Sequence, residues 1–284
     1  MDRPAASTAV NGHQASLATL HGKERAVAPA LARVGIAITV VPVDTDALGT
    51  FTGEVERALP PRETVVAKAR LGMAASGLPV GLASEASFGP HPALPFVAVH
   101  EELLAFIDDA RGISHVERYV TTRTNFGHVD VAEATAARDF LRRARFPGHA
   151  VIVRPVGAAG PLVKGVADPA VLARAVAAAR AASPAGLARV ETDMRAHHNP
   201  RRLVALRRLA RQLATRLATP CPQCGAPGFG PVDVERGLPC ADCGTPTAAV
   251  RADVLGCLCG GCRVVRPRAG VTGADPAVCP DCNP

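Results

Sequence analysis

The sequence predicts an α/β layered domain with a central mixed sheet, followed by a small double zinc-ribbon domain. Three observations carry that expectation. Short β-branched runs alternate with stretches of helical periodicity as far as residue 217. All nine cysteines of the 284-residue chain lie at or beyond Cys221. Apolar residues make up 48% and charged residues 20%, the balance of a chain that buries a core. The expected organisation is a loose tail over 1–14, the α/β domain over 15–217 and the cysteine-rich domain over 218–284.

The elements follow in order. S-L-A-T-L (16–20) has the look of a short buried strand, and Ala26, Val27, Ala30 and Leu31 give a helix over about 23–33. I-A-I-T-V-V-P-V (36–43) is a continuous β-branched run, hence a second buried strand. Residues 44–60 are polar and turn-rich, and the stretch after Pro60-Pro61 reads as a helix that stops at Gly77. Then come a strand over 78–84, a loop E-A-S-F-G-P-H-P, strands near 95–107 and 112–122, and a helix near 130–143. A strand at 149–155, an alanine-rich helix at 168–182, a strand at 187–192 and a long helix at about 200–217 complete the domain. Leu203, Leu206, Leu209, Leu213 and Leu217 form a stripe on that last helix, so it packs by one face.

Composition excludes several functions. No apolar run reaches the roughly 20 residues of a spanning helix, and residues 1–16 lack the apolar core of a secretion signal. The expected compartment is the cytoplasm, with no membrane partner. An odd cysteine count confined to one end does not fit a secreted disulfide framework. The net charge of +7 suits anionic partners, while 3% aromatics disfavour a protein that stacks single-stranded bases.

The cysteines form four C-x₂-C pairs: Cys221/Cys224, Cys240/Cys243, Cys259/Cys262 and Cys279/Cys282. Successive pairs are separated by fifteen and by sixteen residues, the spacing of zinc ribbons. Each C-x₂-C turn offers two thiolates, and two turns complete a closed tetrahedral site, so two structural Zn²⁺ ions are expected. Iron is the alternative metal for such a sulfur set. Pairing in sequence order is the first expectation, with a cross-braced arrangement as its alternative. Cys257 is then a spare thiol.

Catalytic chemistry must come from the first domain. His21, Gly22, Lys23 and Glu24 stand between a strand and a helix, where free N–H groups and a lysine suit a phosphate. Asp44 and Asp46 end the second strand, and Glu54, Glu56 and Arg57 follow in the turn-rich loop. Glu85 ends the next strand and His91 lies beyond it. Carboxylates at several strand ends point to a hard cation such as Mg²⁺, with Asp44 and Asp46 as ligands. In D-M-R-A-H-H-N-P-R-R, Arg195 and His197 sit off the regular helix and are the better site residues. Arg207, Arg208, Arg211 and Arg216 read instead as a solvated or acid-paired helix face.

H-G-K-E, D-T-D-A-L-G-T-F-T-G-E-V-E-R, A-S-E-A-S-F-G-P-H-P, T-N-F, D-M-R-A-H-H-N-P and C-P-D-C-N-P together resemble an uncharacterised bacterial family known only as a domain of unknown function. The likeness spans about residues 15–284. More faintly, T-L-H-G-K (19–23), E-T-V-V-A-K-A-R (63–70) and G-L-A-S-E (81–85) are similar to the inosine/xanthosine triphosphate pyrophosphatase fold. That resemblance implies that Lys23 holds phosphate beside Lys68, and that Glu85 binds metal or activates water. Arg195 and His197 match that family's late Ser-His-Arg segment, whereas His21 stands where Asn is usual.

Two functions are therefore expected. One is a Mg²⁺-dependent hydrolase of a nucleotide or other phosphorylated compound, using Glu85, Glu54, His91 and His197 for catalysis. His21, Lys23, Lys68 and Arg195 hold its substrate. The other is a non-catalytic module whose zinc ribbons and basic helix bind nucleic acid or protein.

Overall fold

The computed structural model describes residues 12–45, 58–91 and 94–284. The chain is mixed α/β, and its first sheet has the order β2-β1-β3-β4-β5. The strands are β1 (His13–Ala18), β2 (Ile36–Val41), β3 (Val80–His91), β4 (Leu94–Asp108) and β5 (Ile113–Thr121). β1 pairs in parallel with both β2 and β3, whereas β3, β4 and β5 form an antiparallel meander.

Helix α1 (Glu24–Ala32) links β1 to β2, and α2 (Pro61–Ser76) returns the chain to β3 on the other side of β1. Right-handed crossovers in opposite directions put the two helices on opposite faces. Ala26, Val27 and Leu31 of α1 share one core with Leu17, Leu82 and Phe106. Val65, Ala69 and Met73 of α2 share another with Ala83, Leu103 and Ala105. α2 opens with proline in its first turn and closes on Gly77 at φ 71°, whose N–H reaches the Met73 carbonyl.

A second, antiparallel sheet has the order β6-β9-β7-β8. It contains β6 (His128–Val131), β7 (Val151–Pro155), β8 (Val163–Val166) and β9 (Ala188–Thr192). Helices α3 (Arg138–Ala144) and α4 (Pro169–Ala182) pack on it through Phe140, Leu172 and Val176. Asp168 caps α4 by accepting from the N–H groups of Ala170 and Val171. Helix α5 (Pro200–Leu217) then crosses back, and Leu206, Leu209, Leu213 and Leu217 join the α1 core. The tail carries a three-stranded sheet of β10 (Gly230–Arg236), β11 (Val250–Gly256) and β12 (Arg263–Pro267).

Two expectations need correction. The segment after residue 84 is not a loop: β3 runs on to His91, and Glu85 lies within the strand rather than at its end. Gly89 and Pro90 are tolerated because β1 pairs β3 only at Gly81 and Leu82, leaving one edge open beyond. The expected helix near 130–143 is instead strand β6, a 3-10 turn at Ala134–Ala137 and the short α3. Asp46, Glu54, Glu56 and Arg57 lie outside the described residues.

Candidate functional site

In an open sheet containing parallel strands, the crevice lies at their C-terminal ends, where successive connections leave in opposite directions. Here that point is between β1 and β3. β1 stops at Ala18, so the following turn folds over the open edge of β3. Thr19 Oγ1 accepts from the His21 N–H at 3.1 Å and tightens the turn, and Gly22 takes φ 66°. The turn drives Lys23 inward, where it is buried and its Nζ donates to the Ser84 carbonyl at 2.9 Å.

The pleat of β3 assigns its neighbours. Glu85 faces α2, where Lys68 Nζ lies 2.7 Å from its Oε2. Phe88 faces α5, with the Arg202 guanidinium 6.0 Å above its ring and His100 stacked at 4.6 Å. Glu102 on β4 receives Arg202 Nε at 3.1 Å and Nη2 at 3.2 Å, and its Oε2 lies 2.8 Å from His100 Nε2. Asn199 caps α5 by accepting from the Arg202 N–H and donates to Asn125 of the T-N-F segment. Arg195 is folded onto Asp193, with Nη2 2.6 Å from the carboxylate.

Three cations in this region thus have a carboxylate partner: Lys68, Arg202 and Arg195. Lys23 has none among the described residues, and its ammonium rests on a carbonyl alone. Burial, followed by repulsion from Arg202, lowers its pKa to about 8, with Glu102 and Glu85 limiting the fall. Burial and the nearby Lys23, His197 and Arg202 hold His21 down at about 4, so its ring is neutral at pH 7. His21 stacks on His197 at 4.8 Å. Burial also lowers the pKa of His197, with help from His198 and Arg195.

The low pKa of Lys23 has a measurable consequence. The unfolded lysine, with a pKa of 10.5, binds more protons than the folded one between pH 8 and 10.5. Stability therefore rises with pH across that window, and the penalty is fully present below pH 8. Its size is on the order of 3 kcal/mol. Lys23→Met is expected to unfold at higher denaturant than wild type at pH 7 and to flatten that slope. Equal midpoints at pH 7 and pH 10 in both proteins would remove the argument.

The structure therefore brings His21, Lys23, Lys68, Glu85, Arg195 and His197 to one edge of the first sheet. Asp44 follows β2 at the same edge and is exposed. His91 stands apart: six strand residues, about 20 Å, separate it from Glu85 along β3. Sequence reasoning missed Glu102, His100, Arg202, Asp193 and Asn199. Polar side chains two apart in the apolar strand V-A-V-H-E-E-L-L-A-F were the available signal for His100 and Glu102, since both fall on one face.

The cysteines form two groups of four, each with all sulfurs within 4.8 Å of one another: Cys221, Cys224, Cys257 and Cys262, and Cys240, Cys243, Cys279 and Cys282. Pairing in sequence order is thus corrected to a cross-braced arrangement, because the antiparallel β10-β11-β12 sheet carries the third turn back to the first. Cys257, expected to be spare, is in the first group. Its N–H bonds to the carbonyl five residues on, at Cys262, as Cys221 does to Ala226 and Cys240 to Thr245. By this bond the third turn starts at Cys257, as the first two start at Cys221 and Cys240.

Sulfur separations test the fit to a metal. A tetrahedral Zn–S₄ centre with bonds of about 2.3 Å has sulfur–sulfur edges of about 3.8 Å. Cys240–Cys282 at 3.8 Å and Cys243–Cys279 at 3.5 Å match, as does Cys224–Cys257 at 3.8 Å. Cys224–Cys259 at 3.7 Å fits equally well, and Cys259 lies 2.7 Å from Cys257, so the two are competing ligands and one ion takes only one of them.

Among the described residues, no helix is long and apolar enough to cross a membrane. A family described as a domain of unknown function, DUF6671, matches residues 68–284. No curated protein matches the chain.

Proposed function

Because the chain belongs to the DUF6671 family, a domain of unknown function, we propose from its site that it hydrolyses a nucleotide or related phosphate ester at the β1–β3 crevice. One observation carries this reading: a buried ammonium, Lys23, that no described carboxylate neutralises, set at the sheet's topological switch point. A phosphate supplies the missing counter-charge and restores the lysine's proton affinity. His21 and His197, neutral and stacked, flank the place where such a ligand meets the β1–α1 turn.

In this reading Glu85 is the base. Water attacks phosphorus, one P–O bond forms and another breaks, and the water proton passes to the Glu85 carboxylate. Lys68 fixes that carboxylate in place, and Lys23 counters charge building on the phosphate oxygens. Arg195 and Arg202, both tied to carboxylates, position the wall of the site rather than grip the substrate. Mg²⁺ arrives with the phosphates, since no described group of three acids or imidazoles gathers at this edge. Asp44 after β2 and Glu85 on β3 are the carboxylates this reading offers it.

The test is a phosphate- and pyrophosphate-release screen over nucleoside triphosphates with Mg²⁺, run with wild type, Glu85→Gln and Lys23→Met. Turnover lost by a factor of at least about 100 in Glu85→Gln, with triphosphate binding retained, is the expected outcome. Lys23→Met is expected to lose binding itself. Absence of both turnover and triphosphate binding in the wild-type protein ends the proposal.

Zinc filling both cysteine groups belongs to the same reading. Closed Cys₄ sites leave no position for water, so these ions hold the tail together and take no part in the hydrolysis.

A further inference from the structure

α5 carries arginines on several sides, and the structure separates their uses. Arg202 is buried on Glu102, Arg208 donates to the Tyr119 hydroxyl at 3.0 Å, and Arg216 donates to the carbonyls of Gly228 and Pro231. Arg207 and Arg211, one turn apart, have no hydrogen bond or ion pair among the described residues. They face α1, where Arg33 is equally unpaired and Arg25 has only Glu24 at 3.9 Å.

Between the two helices these four arginines line a trough of 360 Å³ with Pro29 and Ala30 at its base. A second stretch of 370 Å³ continues it past Val34 and Ala218, sharing Ala30, Arg33 and Arg211. No acid lines either stretch. Four guanidinium groups, of which only Arg25 has an acid within reach, create a field that concentrates anions, and their forked donors fit phosphate oxygens.

We propose that the α1–α5 trough binds the phosphate backbone of a nucleic acid. Arg25 and Arg33 are eight residues apart on α1, about 12 Å along the helix. That length equals about three to four base-pair steps along a duplex axis, so a single small anion cannot engage both ends. A flat bilayer cannot reach a floor set between two helices. The trough has no aromatic lining, so it reads charge spacing and not base identity. The cysteine-rich tail is the poorer holder of nucleic acid. Over 218–284 it has five arginines against six acids, and each zinc held by four thiolates adds a net charge of minus two.

Fluorescence anisotropy on the full, metal-loaded chain tests this with a 20-nucleotide oligothymidine and a 20-base-pair duplex, titrated from low to physiological salt. Binding is expected to fall steeply with salt and to be indifferent to sequence. The Arg207→Glu/Arg211→Glu variant is expected to bind about tenfold or more weakly. Its slope of log K against log salt drops by about 0.7 per arginine on the single strand or 0.9 on the duplex. Triphosphate binding at Lys23 is the control and stays unchanged, so this proposal and the hydrolase reading fail independently. The proposal is overturned if neither oligonucleotide binds wild type at low salt, or if the variant binds them as wild type does. It is equally overturned if heparin or anionic vesicles depend on these arginines and the oligonucleotides do not.

Discussion

Stripping metal from the chain is expected to unfold residues 218–284 while leaving the two sheets of the preceding part intact. Leu258 packs on the α1–α5 core and Arg216 bonds the Gly228 and Pro231 carbonyls, but the tail has little apolar core of its own. Its three-stranded sheet is short, and the apolar cluster around the first cysteine group consists of Cys221, Cys257 and Cys262 with Phe229 packed against them. A core of that size does not offset the backbone entropy of ordering the segment. Metal binding to Cys₄ knuckles supplies apparent free energies on the order of 10 kcal/mol or more, and that energy is folding energy. Elemental analysis is expected to find two zinc ions per chain. Chelation followed by limited proteolysis should release fragments from beyond Leu217 only. The cross-braced grouping sharpens the prediction to single residues. Cys257→Ser is expected to lose one zinc ion and Cys259→Ser to keep both. The reverse pattern would put Cys259 in the first site and make Cys257 the bystander. Two ions retained after loss of either Cys240 or Cys279 would break the second grouping altogether.

The knuckles also show what a sequence can and cannot announce. Four C-x₂-C pairs name a metal site because spacing along the chain fixes how two thiolates of one turn present themselves. Which turns meet is decided by the antiparallel return of β11 and β12, and no spacing encodes that. α5 was legible for a similar reason: its leucines repeat at helical intervals and so mark its buried face before any partner is known. Glu102 was illegible. It is an acid inside an apolar strand, and it makes physical sense only beside Arg202, one hundred residues later. β3 was cut short because Gly89 and Pro90 are normal signals of a loop. They are compatible with a strand whose one edge has already lost its neighbour. Lys23 and Glu85 stood out as polar residues at strand-turn boundaries, yet their approach depends on β1 ending at Ala18, one residue after its last pairing with β3, so that the chain turns over that edge. That is a property of the topology, not of either motif.

Glu102→Ala and Arg202→Ala are each expected to cost about 3–5 kcal/mol of stability, the usual penalty for leaving one member of a buried pair without the other. Glu102 is fully buried and Arg202 nearly so. Burial alone pushes the Glu102 pKa upward, but Arg202 and the hydrogen bond from His100 overcome it and bring it to about 2. A carboxyl depressed from 4.5 in the folded state contributes stability that is complete above pH 4.5 and lost as pH falls towards 2. Wild type should therefore lose stability across that acid window, and Glu102→Ala should lose much less there. The Arg202 side also ties α5 to the segment before it, since Nη1 donates to the Met194 carbonyl and the backbone N–H to Asn199. Arg202→Ala is thus expected to loosen the Asp193–Asn199 turn that carries Arg195 and His197, and to raise KM for a phosphorylated substrate more than it lowers kcat. Replacing both partners by a methionine–leucine pair separates the two roles. Stability should return to within about 1.5 kcal/mol of wild type, because a buried ion pair and apolar groups of similar volume are often equivalent. The substrate effect should not return, because the charge that faces Lys23 and His21 will be gone. If the apolar pair restores both stability and KM, the buried pair is scaffold alone and the site ends at Lys23 and Glu85.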